Sequence, residues 1–171
     1  MHASWPDTMR RPRRVSALSR RASVAASGTL PAPAVNSGTQ SVVVLDTHIL
    51  IFDALDPKRL SARARKAIDQ AAGNQELACC DISLWEIALL IARGRLEPGM
   101  DANQFLEDLI AARKLRVLPI TPEIAVLSRS DGFSHNDPAD RLIAATAMFH
   151  RAKLVTSDAK LRKLKDLATV W

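Results

Sequence analysis

The order of hydrophobic and polar residues changes abruptly about forty positions into this 171-residue chain. Residues 1–40 are built from Arg, Ser, Ala, Pro and Gly, with neither the period of 2 of a strand nor the period of 3.6 of a helix. From residue 41 onward, short apolar runs alternate with longer stretches of helical spacing. Val42-Val43-Val44-Leu45 is β-branched and unbroken, the pattern of a strand buried on both faces of a parallel sheet. A helix is expected over 60–72, after Asp56-Pro57. Leu77-Ala78-Cys79-Cys80 follows as a second buried strand, then helices over 83–93 and 102–114, the latter with Phe105, Leu106, Leu109 and Ile110 on one face. A third strand is expected at Arg116–Pro119 and a short helix over 122–130. Asp137-Pro138 then opens a helix, Asp as cap and Pro at the first helical position. Leu154-Val155-Thr156 makes a fourth strand, followed by a basic helix over 159–165 and a last strand at Thr169–Trp171. Strands alternating with helices imply an α/β fold: a mainly parallel sheet of four to five strands, flanked by helices on both faces. The expected organisation is a disordered basic extension, 1–40, and one folded domain, 41–171.

Charge sharpens that division. The net charge of +6 suggests a nucleic-acid partner, but six of the 24 basic residues and only Asp7 of the 18 acidic ones lie in residues 1–40. The folded part is therefore close to neutral, and overall basicity says little about what it binds. Aromatics at 4%, with no tyrosine, argue against a surface that stacks bases. Residues 1–40 lack the apolar core of a secretory signal. Their Arg- and Ser-rich, acid-poor composition resembles a transit peptide, and it is equally that of an RNA-touching arm or of an inert tail upstream of a later start near Val42–Val44. No apolar run is long enough to span a membrane. The adjacent Cys79 and Cys80 build no disulfide framework and fit a reducing, cytoplasmic setting.

In an open parallel sheet, ligands sit beyond the carboxyl ends of the strands. Four acids fall there. Asp46 ends the first strand, Glu86 lies in the first turn after the second, Asp140 in the first turn of the helix opened by Asp137-Pro138, and Asp158 just after the fourth strand. Each has a structural alternative. Ser83-Leu84-Trp85-Glu86 spells a capping box; Asp140 and Asp137 favour a helix N-terminus, Asp137 as its cap; Asp158 caps the helix after it. Asp46 is harder to explain in that way, because a carboxylate ending a buried strand needs a partner. Gathered at one end of the sheet, the four would repel each other and raise at least one pKa. A divalent cation, Mg²⁺ or Mn²⁺, resolves that conflict through hard oxygen ligands. Without phosphate-binding glycines or a Ser-His-Asp set, metal-assisted phosphodiester hydrolysis is the chemistry such a site suits.

Four segments carry a family resemblance: Val43-Val44-Leu45-Asp46-Thr47-His48, Ile82-Ser83-Leu84-Trp85-Glu86-Ile87-Ala88, His135-Asn136-Asp137-Pro138-Ala139-Asp140-Arg141-Leu142-Ile143-Ala144-Ala145 and Leu154-Val155-Thr156-Ser157-Asp158. In this order and spacing, over residues 42–171, they resemble the successive motifs of PIN domains, most closely VapC-type toxins of toxin–antitoxin pairs. The resemblance implies a PIN-like fold and a Mg²⁺- or Mn²⁺-dependent ribonuclease. It also implies a homodimer silenced by a small VapB-like antitoxin whose C-terminal segment crosses the active-site face. It makes Asp46 and Asp140 the principal metal ligands, with Glu86 and Asp158 assisting directly or through water. Thr156 and Ser157 would orient that water, and Arg141 would hold a phosphate. His135 would serve as a supporting or RNA-contacting residue, a loop histidine being its ordinary alternative.

The chain departs from the family pattern at Leu90, where relatives often carry lysine, and at Asp53, where an aromatic is common. His48 is expected to pack near the first strand, His150 to lie on the surface, and the cysteines to fill core. The Phe105–Ile110 stripe is core or, where exposed, a groove for a partner. Two rival readings stand beside the nuclease. One is a PIN-like scaffold that only binds RNA or a partner, disfavoured because clustered acids repel phosphates. The other is an aspartyl-phosphate phosphohydrolase acting at Asp46, which usually needs a second aspartate where His48 stands.

Overall fold

The computed structural model describes residues 42–130, 133 and 136–171; the basic extension expected over 1–40, and His135, lie outside them. Five strands, all parallel, form one sheet in the order β3-β2-β1-β4-β5: β1 Val43–Leu45, β2 Leu77–Cys80, β3 Arg116–Leu118, β4 Lys153–Val155 and β5 Thr169–Val170. The helices are α1 Thr47–Leu55, α2 Ala62–Gly73, α3 Asp81–Ala92, α4 Ala102–Arg113, α5 Pro122–Leu127 and α6 Pro138–Phe149.

The alternation of strand side chains divides the core into two layers. Val43, Leu45, Leu77, Cys79 and Val155 pack on one face with Ile49, Ile68, Ile87, Phe105 and Leu109 from α1 to α4. Val44, Ala78, Cys80 and Leu154 pack on the other with Ile124 of α5 and Ile143, Ala144 and Ala147 of α6. Both faces of β1 and β2 are covered, which is why these strands read as unbroken apolar runs. Small residues along α6 let that helix lie close against the sheet.

Three local expectations change. The third strand, expected at Arg116–Pro119, is the shorter edge strand Arg116–Leu118, largely exposed since only β2 pairs with it. The basic helix over 159–165 contracts to a single 3₁₀ turn, Leu161–Lys163, because Leu161, Leu164 and Leu167, three apart, are the residues that pack on the core and Asp166 turns the chain at φ 69°. His150, expected on the surface, is half-buried where α6 ends, its ring edge-on to Phe149, and burial lowers its pKa. The strand order reverses direction between β1 and β4. Such a switch point opens a crevice at the carboxyl ends of the two strands.

Candidate active site

Asp46 and Thr156 end the two strands that flank this crevice. The Asp46 N–H donates to Val155 O at 3.1 Å, extending the β1–β4 ladder and fixing the backbone under the carboxylate. The Thr156 hydroxyl, fully buried, donates to Asp46 Oδ2 at 2.6 Å and accepts from the Asp158 N–H at 3.0 Å, so one side chain joins the Asp46 carboxylate to the backbone of Asp158. Asp46 stands at the N-cap of α1, but its side chain caps nothing. It is 2% exposed, and its Oδ1 has no hydrogen-bond partner. A buried carboxylate oxygen left in that state is costly unless a positive group meets it.

Glu86 is held from α1. The Thr47 hydroxyl donates to Glu86 Oε2 at 2.7 Å and is hydrogen-bonded at 3.0 Å to the hydroxyl of Ser83, which is fully buried. The capping-box alternative fails: α3 starts at Asp81, which places Ser83 inside the helix and Glu86 in its second turn rather than its first. Asp81 itself accepts from the Ile120 N–H at 3.1 Å and ties α3 to the end of β3. Thr47, Ser83 and Asp81 were missed as site or support residues. Only the position of Thr47 directly after Asp46 signalled its part.

Burial is the main cause that raises the pKa of Asp46 and of Glu86. The Thr156 hydrogen bond opposes it at Asp46, joined by the backbone N–H groups of Thr47 and His48 at the start of α1; the Thr47 hydroxyl opposes it at Glu86, and His48 favours the charge of both. The charges of Asp137 and Asp46 push Glu86 further up, so the N-terminus of α6 lies within electrostatic reach of Glu86. There Asp137 caps the helix by accepting from the Ala139 N–H at 2.9 Å, and Asp140 sits half-buried in the first turn. Asp158 does not cap a helix over 159–165, which is absent; it closes the turn that leads into Leu161–Lys163. Its Oδ1 accepts from the backbone of Lys160 and Leu161 at 2.5 and 3.3 Å.

Among the described residues, no three acids, histidines or cysteines converge closely enough to hold a metal ion by themselves. The chemistry of the site still fits a hard divalent cation, because Asp46 Oδ1 is a buried, unpaired oxygen beside a second acid with raised proton affinity. Ser157 is half-buried between Thr156 and Asp158. Arg141 donates from Nε to Ser128 O at 2.7 Å and lies over Phe133, which ties α6 to the end of α5. His48, expected to pack, is exposed on α1. The unusual Asp53 is explained by Arg113, whose Nε and Nη2 grip its carboxylate at 2.8 and 2.7 Å and join α1 to α4.

The sequence profile of the PIN domain family matches residues 43–167. Ribonuclease VapC22 of Mycobacterium tuberculosis (strain ATCC 25618 / H37Rv) is 37% identical over 134 residues, covering 77% of this chain and 99% of that protein. The chain therefore belongs to the PIN domain family. Among solved structures, it resembles VapBC2 from Rickettsia felis bound to a promoter DNA fragment, with a TM-score of 0.58 at 17% identity. It also resembles FitAcB from Neisseria gonorrhoeae, with a TM-score of 0.54 at 24% identity. In each case the likeness covers 75% of this chain and 96% of the other.

Proposed function

We propose that the chain is a metal-dependent endoribonuclease toxin, held inactive by a small VapB-like antitoxin. The observation that carries this reading is the buried Asp46 carboxylate at the switch point, held by Thr156 beside the backbone of Asp158 and with one oxygen unpaired. The match to a named ribonuclease over nearly its full length supports the same activity class. Asp46 and Asp140 would be the principal ligands of Mg²⁺ or Mn²⁺, with Glu86 and Asp158 completing the acidic set. When bound, such an ion supplies Lewis acidity toward the phosphodiester and lowers the pKa of coordinated water.

The protein's own groups do the positioning. Thr156 fixes the rotamer of Asp46 and leaves Oδ1 for the cation. Thr47 fixes Glu86, whose raised proton affinity suits it to receive a proton from the attacking water. Thr156 and Ser157 stand where that water would be oriented.

The partner surfaces are read from a cavity whose rim, Leu55 and Met100, is exposed over the core residues Phe105 and Leu109, and from two exposed helix residues. Leu55, Met100, Phe105 and Leu109, from the end of α1, the loop before α4 and α4 itself, line a cavity of about 330 Å³ that suits an antitoxin segment. For the homodimer that the VapC-type resemblance implies, Trp85 on α3 and Val126 on α5, 59% and 74% exposed, are candidate contacts. Among the described residues no helix is long and apolar enough to cross a membrane. The cytoplasmic setting we propose rests on the free thiols of Cys79 and Cys80, which fit a reducing compartment. The test is incubation of the full chain, freed of any co-purifying antitoxin, with a pool of tRNA and rRNA in Mg²⁺, Mn²⁺ or EDTA. Discrete fragments in metal and intact RNA in EDTA are expected. Intact RNA under every condition, with folded protein, would count against the reading.

A further inference from the structure

Leading away from the acids along α1, three side chains form a row that catalysis does not use. His48 is exposed in the first turn, and its ring centroid lies 6.3 Å from that of Phe52, one turn on. The guanidinium carbon of Arg59 stands 3.8 Å over the Phe52 ring. Phe52 is a core residue, 9% exposed, so it offers Arg59 a fixed platform. The backbone beneath Arg59 is fixed as well. A 3₁₀ turn, Pro57–Arg59, closes with Arg59 N–H to Asp56 O at 3.0 Å, and Arg65 donates to Pro57 O at 2.6 Å. The carboxylate beside Phe52, that of Asp53, is already taken by Arg113, and among the described residues Arg59 has no ion-pair partner. An exposed guanidinium that is pinned on a ring and unneutralised keeps its donors for a planar or tetrahedral anion.

We propose that Arg59, on its Phe52 platform and next in line after His48, binds a phosphodiester of single-stranded RNA a nucleotide or two from the bond being cut. This deepens the nuclease reading and rests on it: a cation set apart from the acids holds the flanking backbone without entering the metal site. Because Arg59 is held in place beforehand, little ordering entropy opposes the contact.

The experiment compares the full chain with Arg59→Ala and Arg59→Lys in steady-state RNA cleavage at several KCl concentrations. The same arginine change on an Asp46→Asn background is assayed for binding to a short fluorescent RNA. Arg59→Ala should raise KM and weaken binding about three- to tenfold, leave kcat within about twofold, and flatten the salt dependence by roughly one phosphate contact, a slope change of about 0.7. Arg59→Lys should recover part of the affinity. Unchanged KM, binding and salt slope in Arg59→Ala would overturn the assignment while cleavage by the parent chain keeps the nuclease reading. A fall in kcat accompanied by a lower melting temperature would overturn it in favour of a purely structural stack. Absence of cleavage by the parent chain would instead strike the nuclease reading, and the binding arm still decides the role of Arg59.

Discussion

Replacing Asp46 by Asn should make the metal-free protein more stable while removing its activity. In EDTA the native site holds a carboxylate that is 2% exposed, satisfied at Oδ2 by Thr156 and unpaired at Oδ1. An unsatisfied buried polar group costs about 1–3 kcal/mol, and a charged one more. The amide keeps the shape and can still accept from Thr156, but it is neutral, so we expect a net gain of about 1–2 kcal/mol. For a domain of this size that is a rise in melting temperature of about 3–8 °C. The pH dependence follows from the raised pKa of Asp46. Folding favours its protonated form, so the contribution to stability is fully present below the unfolded carboxylate pKa and is lost as pH rises through the higher folded value. The advantage of Asp46→Asn should therefore be greatest near neutral pH and shrink toward pH 4. Added Mg²⁺ should narrow it from the other side, since the cation binds the folded native site. Thermal melts of both proteins in EDTA and in Mg²⁺, between pH 4 and 8, provide the measurement. A variant that melts lower than the parent in EDTA at neutral pH would refute the argument that this carboxylate is held against its own electrostatic preference.

Other expectations follow from the same contacts. Thr47→Val strips Glu86 and the fully buried Ser83 of a hydrogen-bond partner, and should cost about 1–3 kcal/mol in urea unfolding together with a loss of kcat. Asp53→Ala breaks the two-pronged Arg113 contact between α1 and α4 and should cost about 1.5–3 kcal/mol, read as a lower urea midpoint at unchanged m-value. The thiols of Cys79 and Cys80, pushed up by burial to about 12 and about 11, should resist alkylation at pH 8 in the native protein and react fully in denaturant. Ile143→Ala, at a side chain with no exposure on α6, should cost about 2–5 kcal/mol by calorimetry or urea unfolding.

The layered fold was legible because parallel strands covered on both faces leave uninterrupted apolar runs, as in Val42–Leu45 and Leu77–Cys80. Asp137-Pro138 likewise announced α6 through capping chemistry that needs no tertiary context. The segment over 159–165 misled because Leu161 and Leu164, three apart, suit a 3₁₀ turn as well as an α-helix, and only tertiary packing decides between them. The Ser83–Glu86 spelling misled in a different way. Its residues match a helix start, but the chain enters the helix two positions earlier, so both side chains are free to meet Thr47. At the site, Asp46 and Asp158 are marked by the strand endings they follow, and Glu86 and Asp140 only by the helices they lie in. The hydroxyls that orient Asp46 and Glu86 carry no such mark, because Thr47–Glu86 and Thr156–Asp46 are contacts between segments 39 and 110 residues apart. The stacking of Arg59 on Phe52 depends in the same way on how the 3₁₀ turn folds back over α1.

If Asp46 anchors a metal-dependent cut in RNA, the full chain and Asp46→Asn, set side by side on the same RNA in Mg²⁺ and scored for cleavage and binding together, will part company. Discrete products are expected from the parent chain alone, with RNA binding by the variant retained or improved as the repelling charge is removed. Cleavage by Asp46→Asn at the parent's rate would contradict that role of Asp46.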